Sequence, residues 1–410
     1  MKPIVYRQVE GNSNGFWLLL SILGAMILAG VGASFYMEHH GHYVTGMNNQ
    51  IVWGMPHIFA VFLIIAASGA LNVASIASVF DKKFYKPMAP LSALLSLALL
   101  TGGLIVLVLD LGRPDRLIIA MTKLNLKSIF AWNQILYNGF FVIVGVYLWF
   151  MLEKKMSKYT KIAGYAAFIW RLILTTGTGS IFGFLVARQG YDAAIMAPMF
   201  IIMSFSFGMA IFILVLMAAY KWTDRPLGDA VLGRLRNLLA VFVSAVMYFV
   251  LVYHLTNLYA AEHHGIQSFI LLGNNGGEAY SKIFWIMQIL IGSVVPLVIF
   301  FTPLGKNRVM LAAGAALVII GGLAQVYVII IGGQAFPIVI FPNMEVITSG
   351  FMDGMPASYS SSLPEFILGF GAGIGLSMIL VVIGIKALRF LPENLGDDVM
   401  DPHAASKGAA

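Results

Sequence analysis

Ten long apolar runs alternate with short polar stretches along this chain, at roughly residues 16–37, 53–80, 89–109, 129–152, 161–187, 194–220, 238–260, 283–303, 309–332 and 364–388. Each is about 20 residues or longer, enough for a helix to cross a hydrocarbon core of about 30 Å. A helix is the required form, because lipid offers no partner to a backbone amide and a helix satisfies its amides internally. Barrel strands are excluded, since they would alternate apolar and polar residues with period two. The pattern predicts an all-α polytopic membrane protein with ten transmembrane helices, a single integral membrane domain over residues 1–410.

Composition agrees: 60% hydrophobic and 10% charged residues exclude a soluble globule. Of the 25 Lys and Arg, 18 fall in the two tails and the even-numbered connections, 6 in the odd-numbered connections, and Arg171 lies inside the fifth run. Basic residues mark the cytoplasmic face. Both termini are therefore expected to be cytoplasmic, with the chain multi-pass in the cytoplasmic (inner) membrane. The net charge of +7 reflects that bias and implies no nucleic-acid partner. The first run is longer than the apolar core of a signal peptide and is read as an anchor. With no Cys, the chain has no disulfide and cannot hold an iron–sulfur cluster through thiolates. An electron carrier of that kind must belong to a partner.

Polar groups inside the runs are few and gather toward the outer face. Arg171 lies about ten residues into the fifth run. Intramembrane charges of this kind usually face a bundle interior or a water-filled path. Asp110 ends the third run, Glu365 begins the tenth, His57 follows Pro56 near the outer end of the second, and His254 lies in the seventh. His39, His40, His42, His263 and His264 are read as wet loop residues on the outer side, with only His57 and His254 inside helices, so no metal site or haem is expected. Asn133, Gln134, Tyr137 and Asn138 are placed on one side of the fourth helix by their spacing. Thr175, Thr178 and Ser180 lie in a Gly-rich stretch of the fifth, where hydroxyls can bridge water and small residues allow close packing. Gln288 and Gln325 read as cross-helix hydrogen bonds.

The connection after the third run departs from the charge rule. It carries Arg113, Arg116, Lys123 and Lys127, with Asp115 among them. Retaining basic charge outside suggests a docking role. The segment Asp110-Leu-Gly-Arg-Pro-Asp115-Arg116, followed by Ser128-Ile-Phe-Ala-Trp132-Asn133, resembles the NrfD/PsrC family of quinone-interacting membrane subunits. Trp53-Gly54-Met-Pro-His57, opening a run rich in small residues through Ser68-Gly69-Ala70 and Asn72, is similar to that family's first core helix. The length is nearest the family's longer members, which serve sulfite-reduction complexes.

The resemblance implies two four-helix bundles, helices 2–5 (53–187) and 6–9 (194–332), flanked by helices 1 and 10. Residues 1–52 hold the N-terminal tail, helix 1 and an outer loop. Residues 333–362 form an outer loop read as a folded lid, and 363–410 hold helix 10 and a cytoplasmic tail. It further implies menaquinone or another quinone as bound substrate, with no covalent or metal cofactor in the chain itself. The implied quinone-binding residues are His57, Asp110 and Asn133. The implied partners are a periplasmic, ferredoxin-like iron–sulfur subunit and a multi-subunit redox complex that can include cytochromes. No complete catalytic site for a terminal substrate is expected here. Arg171, Thr175, Thr178, Ser180, Tyr137 and Glu365 are candidates for a proton path. The competing class is a secondary transporter or proton channel using the same residues, for which the Gly-rich stretch of the fifth run is the hint of a broken helix.

Because the chain has no native Cys, single cysteines report topology cleanly. A cysteine in the Lys154–Lys161 connection should react with an impermeant maleimide only from the cytoplasmic side, and one beside His263 only from outside. The opposite pattern would reverse the orientation.

Overall fold

The computed structural model describes residues 4–338 and 359–400. The described residues are almost wholly helical. We label the ten long helices α1 (Asn14–His40), α2 (Met55–Ser78), α3 (Lys83–Leu109), α4 (Ile129–Leu152), α5 (Thr160–Gly183), α6 (Met196–Trp222), α7 (Asp229–Tyr259), α8 (Glu278–Phe301), α9 (Arg308–Ala335) and α10 (Leu363–Ala387). Nine of them are long and apolar enough to cross a membrane. The exception is α5, whose Arg171 and hydroxyl residues dilute a helix of 24 residues; the count of ten spans rests on it.

Helices α2–α5 pack as one bundle and α6–α9 as another, joined where α2 and α5 meet α6. The outer pair is asymmetric: α10 packs on α2 and α3, and α1 packs on α10, so both flank the first bundle. Within α2, the most buried span, every residue of its apolar window is covered by protein. Its crossing with α6 is set by glycine. A Cβ on Gly69 would drive into the Ser204 carbonyl, and one on Gly208 into the Ala70 backbone.

The helix α2 is not continuous. It breaks for one residue at Leu71, whose N–H reaches back to Ser68 O (3.3 Å) rather than to Ala67 O. Three side chains satisfy the groups that the break exposes. Ser92 Oγ of α3 donates to Ala70 O (2.6 Å) and accepts from Ala74 N (3.1 Å), so one hydroxyl is spliced into the helical ladder. Ser96 Oγ donates to Ala67 O (2.6 Å), and Arg171 donates to Ser68 O (3.0 Å). The break expected in the fifth run is thus in the second, and α5 runs unbroken.

Other boundaries differ from expectation for identifiable reasons. α1 extends to His40, so His39 and His40 end a helix rather than starting a loop. α7 starts at Asp229, ahead of the apolar run, because its first turn is capped from outside. Asp397 accepts from Asp229 N (3.1 Å) and Ala230 N (2.9 Å), an acidic group at a helix N-terminus. Both described chain ends meet at this end of the molecule: Tyr6 bridges Pro392, and Arg225 donates to Leu391 O (3.0 Å) and Arg7 O (2.9 Å). Residues 339–358, the middle of the expected lid with Pro342 and Pro356, lie outside the described residues.

The α2–α6 crossing gives a direct test. Gly69→Ala should destabilise the protein by about 3 kcal/mol or more, the upper range for overpacking against rigid backbone. Gly145→Ala, at a helical position with open space, should be neutral or stabilising by up to about 1 kcal/mol. Detergent melting curves of the two variants check both signs.

Candidate functional site

Helix α2 begins and α3 ends at the same end of the first bundle, which brings His57 to Asp110. Pro56 supplies the preset φ of a first helical turn. His57 Nδ1 lies 3.0 Å from Asp110 Oδ2, with the carboxylate only 2% exposed and the imidazole 25% exposed. Neither Asp110 oxygen makes a well-aligned hydrogen bond, so the contact with His57 is a close polar approach of imperfect angle. A buried carboxylate without donors is costly, and His57 is the basic group within reach. With Nδ1 turned to Asp110, Nε2 is the nitrogen left to face a ligand.

Aromatic rings flank the pair. Trp53 stacks near His57 (centroids 6.3 Å, planes 28° apart) and meets Phe130 at 6.1 Å and Phe182 at 5.9 Å, both edge-on. Phe130 is half exposed. This wall therefore runs from the protein interior to the lipid-facing flank, a suitable bed for an apolar ring and tail. Two cavities, one in the second bundle and one at the opposite end, do not include His57 or Asp110.

The loop carrying Trp53 into α2 is held by distant parts of the chain. The buried Gln334 amide, at the end of α9, accepts from Val52 N and Trp53 N (both 3.0 Å) and donates to Trp53 O (3.0 Å). One side chain thus bonds both backbone groups of Trp53. Arg188 ties Gln334 O (3.0 Å) to Gln50 O (2.9 Å). On the other side, Met55 N donates to Tyr359 Oη (2.7 Å), which donates in turn to Glu365 Oε1 (2.9 Å). Glu365 Oε2 also accepts from Gly46 N (2.9 Å) and Ser362 N (2.7 Å). Glu365, a candidate for a proton path, sits as the third-residue partner of a capping box at the start of α10. Its described bonds all serve this frame.

Asn133 is buried, and its amide is committed to helix packing. It donates to Ile129 O (3.0 Å) and Gly177 O (2.9 Å) and accepts from Thr178 Oγ1 (3.3 Å). None of these bonds reaches His57 or Asp110. The four polar residues of α4 also divide: Asn133 is buried and Tyr137 half-buried, whereas Asn138 is exposed and bonds Gln134 O. A helix turns 100° per residue, so neighbours in sequence do not share a narrow face.

Arg171 is 3% exposed and donates from one guanidinium nitrogen to Ser68 O and to Asn72 Oδ1 (2.6 Å). The rings of Phe168 and Phe205 lie 5.2 and 4.9 Å from its Cζ, at cation–π range. Both hydrogen-bond partners belong to α2, not to the hydroxyls of its own helix. Thr175 Oγ1 instead lies 2.7 Å from Ser68 Oγ. Ser180 is buried near the C-terminal end of α5.

On the loop after α3, Arg113 forks onto Asp115 through two 3.1 Å bonds, which hold that carboxyl below its ordinary range. Arg113 is therefore already compensated. Arg116, Lys123 and Lys127 are exposed, alongside the exposed apolar residues Ile118, Ile119 and Leu126.

The chain's residues 43–338 match the family described as "Polysulphide reductase, NrfD". It is 28% identical to the Hdr-like menaquinol oxidoreductase integral membrane subunit of Archaeoglobus fulgidus, over 97% of this chain and 99% of that one. It is 21% identical to a selenate reductase subunit of Mesobacillus selenatarsenatis, over 92% and 94% of the two chains. With a putative dimethyl sulfoxide reductase membrane subunit of Halobacterium salinarum it shares 25% identity, over 91% and 90%.

Gln334 belongs to the frame of the site without any mark in the sequence, since a lone Gln at a helix end carries no signal. Its role is testable. Gln334→Leu strands three backbone groups, each worth roughly 1–3 kcal/mol when buried. The variant should melt several degrees lower than the parent and show altered Trp fluorescence, and Gln334→Glu should recover less than half of the loss.

Proposed function

The chain belongs to the polysulphide reductase NrfD family, and on that basis we propose that it is the quinone-reactive membrane subunit of a multi-subunit oxidoreductase. It exchanges electrons between the menaquinone pool and an iron–sulfur partner on the outer face. The observation that carries this reading is the His57–Asp110 pair: a buried carboxylate with no aligned donor, 3.0 Å from an imidazole that reaches the surface beside an aromatic wall. The Archaeoglobus relative's name, menaquinol oxidoreductase, supports menaquinone as the substrate.

Quinol oxidation releases two electrons and two protons. In the proposed reaction His57 Nε2 accepts the first hydroxyl proton from the quinol, releases it to water at its exposed edge, and then accepts the second. Asp110, facing Nδ1, fixes the ring and stabilises the imidazolium that forms, as a carboxylate behind a general-base histidine does. The ring stacks against Trp53 and the tail leaves past Phe130. Electrons pass to the partner, because a chain without Cys offers no thiolate for a cluster. Reduction of quinone runs through the same contacts in reverse. Asn133 supports this pocket from behind, by locking α4 to α5. The basic and apolar loop with Arg116, Lys123 and Lys127 is the proposed docking surface for an acidic periplasmic subunit, where charge would speed and orient association; cytochrome subunits complete the complex.

Two finer readings accompany this. The family's description and the dimethyl sulfoxide in the Halobacterium relative's name both concern sulfur compounds, which supports a place in sulfur-compound metabolism. Proton movement is supported by polar groups along the first bundle. A cleft of about 320 Å³ at the basic end, lined by Asp81, Lys86 and Tyr147, leads to Ser78 (2.8 Å from Tyr147 Oη). Asn72, Arg171, Ser68 and Thr175 follow at the break in α2, and Thr178 with Asn133 lies nearer the outer end. A mid-membrane break with a buried cation is also what a transporter would show. Both termini are placed in the cytoplasm by this reading.

His57→Ala and Asp110→Asn should each lower quinol-dependent electron transfer at least about 100-fold, the lower range for loss of a general base. Helical content and copurification of the iron–sulfur partner should stay unchanged. Parental turnover in His57→Ala would overturn the assignment.

A further inference from the structure

The second bundle contains a polar interior that the proposed reaction does not use. A cavity of about 30 Å³ lies among α6, α7, α8 and α9 and the short helical segment after α7, lined in part by Met199, Tyr253, His254, Gln267, Gln288 and Gln325. Gln288 and Gln325 are 5% and 3% exposed. The expected cross-helix bonds are incomplete: Gln288 Oε1 and Gln325 Nε2 have no partner among the described residues. One is an acceptor without a donor, the other a donor without an acceptor. His254 adds a third open position. Its Nδ1 lies 2.7 Å from Gln267 Oε1, and an amide oxygen only accepts, so Nδ1 carries the proton. Nε2 of the neutral ring then presents a lone pair.

We infer that this cavity is a specific water site, holding about two ordered molecules that bridge Gln325 Nε2 to Gln288 Oε1. Size permits it, because a water needs roughly 10–15 Å³ of such space. Polarity requires it, because an unmade bond to a buried amide is costly in a membrane protein. A bare cation fits poorly, since Gln325 presents N–H groups where a cation needs oxygen. An empty void fits poorly too, since stable dry cavities are apolar.

The backbone around the site is distorted as such a site would need. Gln288 sits within a π-helical stretch, Ile283–Val294, and Gln325 lies just before another, Val328–Gly332. Wider π turns open space beside the helix axis and recur at functional positions. His254 is the half-buried residue of the set. The inference stands whether or not a quinone binds at His57.

X-ray radiolytic footprinting tests it on the intact protein, because radicals born from bound water oxidise the side chains that touch it. Met199 and Met203 share α6 and are both buried, but only Met199 lines the cavity. Met199 should be oxidised at least about tenfold faster than Met203, and the double variant Gln288→Leu, Gln325→Leu should remove the difference. A second readout covers single variants that fold poorly: the double variant should lose less melting temperature than the two singles added together, since it removes both ends of one bridge. Equal oxidation of Met199 and Met203 in the parent would overturn the site. A melting temperature that rises with sodium and not with potassium would overturn the water assignment in favour of a cation.

Discussion

A helix interrupted inside a bilayer leaves backbone groups that no solvent can reach, and the first bundle is organised around meeting that need. The one-residue break at Leu71 is completed by Ser92 and Ser96 from α3 and by Arg171 from α5. Each contributor fixes its own helix against α2. The guanidinium also lies at the carboxyl end of the first half of α2, where the helix dipole favours a cation. The charge that makes α5 the least apolar of the ten helices is thus held in place by the irregularity of its neighbour. Gly69 and Gly208 bring α6 to the same level, so both bundles are registered on this point.

Much of this is legible in the chain, and the part that is not has a physical explanation. The ten runs, the bundle class and the candidates His57 and Asp110 are visible because burial and charge leave long, periodic marks. The glycines of the fifth run point to a break there, yet the break lies at Leu71, just after Ser68-Gly69, a pair that reads equally as small-residue packing. Its signature is the pair Ser92 and Ser96, four residues apart on α3, which looks like ordinary small-residue packing. Asn133 is legible as a buried polar group but not as a committed one, because hydrogen-bond saturation is a property of neighbours. Gln334, Tyr359 and Arg188 act on residues far away in sequence, and nothing local marks them.

The two bundles treat buried polarity differently. In the first, the polar side chains near the break bond protein, leaving only Arg171 Nε without a partner there among the described residues, and the His57–Asp110 pair stays partly open at the surface. In the second, glutamines on α8 and α9 leave one donor and one acceptor unmatched among the described residues. Similar helix packing thus holds a partly exposed polar pair in one half and a polar interior cavity in the other. Besides the α2–α6 crossing, the bundles are tied at the entry loop of α2, whose backbone is bonded by the last turn of α9.

The frame around Trp53 and His57 also has an order in time. The loop at residues 46–55 leaves the ribosome early, yet the groups that fix it are Gln334, Tyr359 and Glu365. The N-terminus of α7 likewise waits for Asp397. During insertion, the histidine and its carboxylate enter the membrane long before the residues that aim them. A chain that stopped before Gln334 would thus carry the His57–Asp110 pair without the bonds that hold its entry loop.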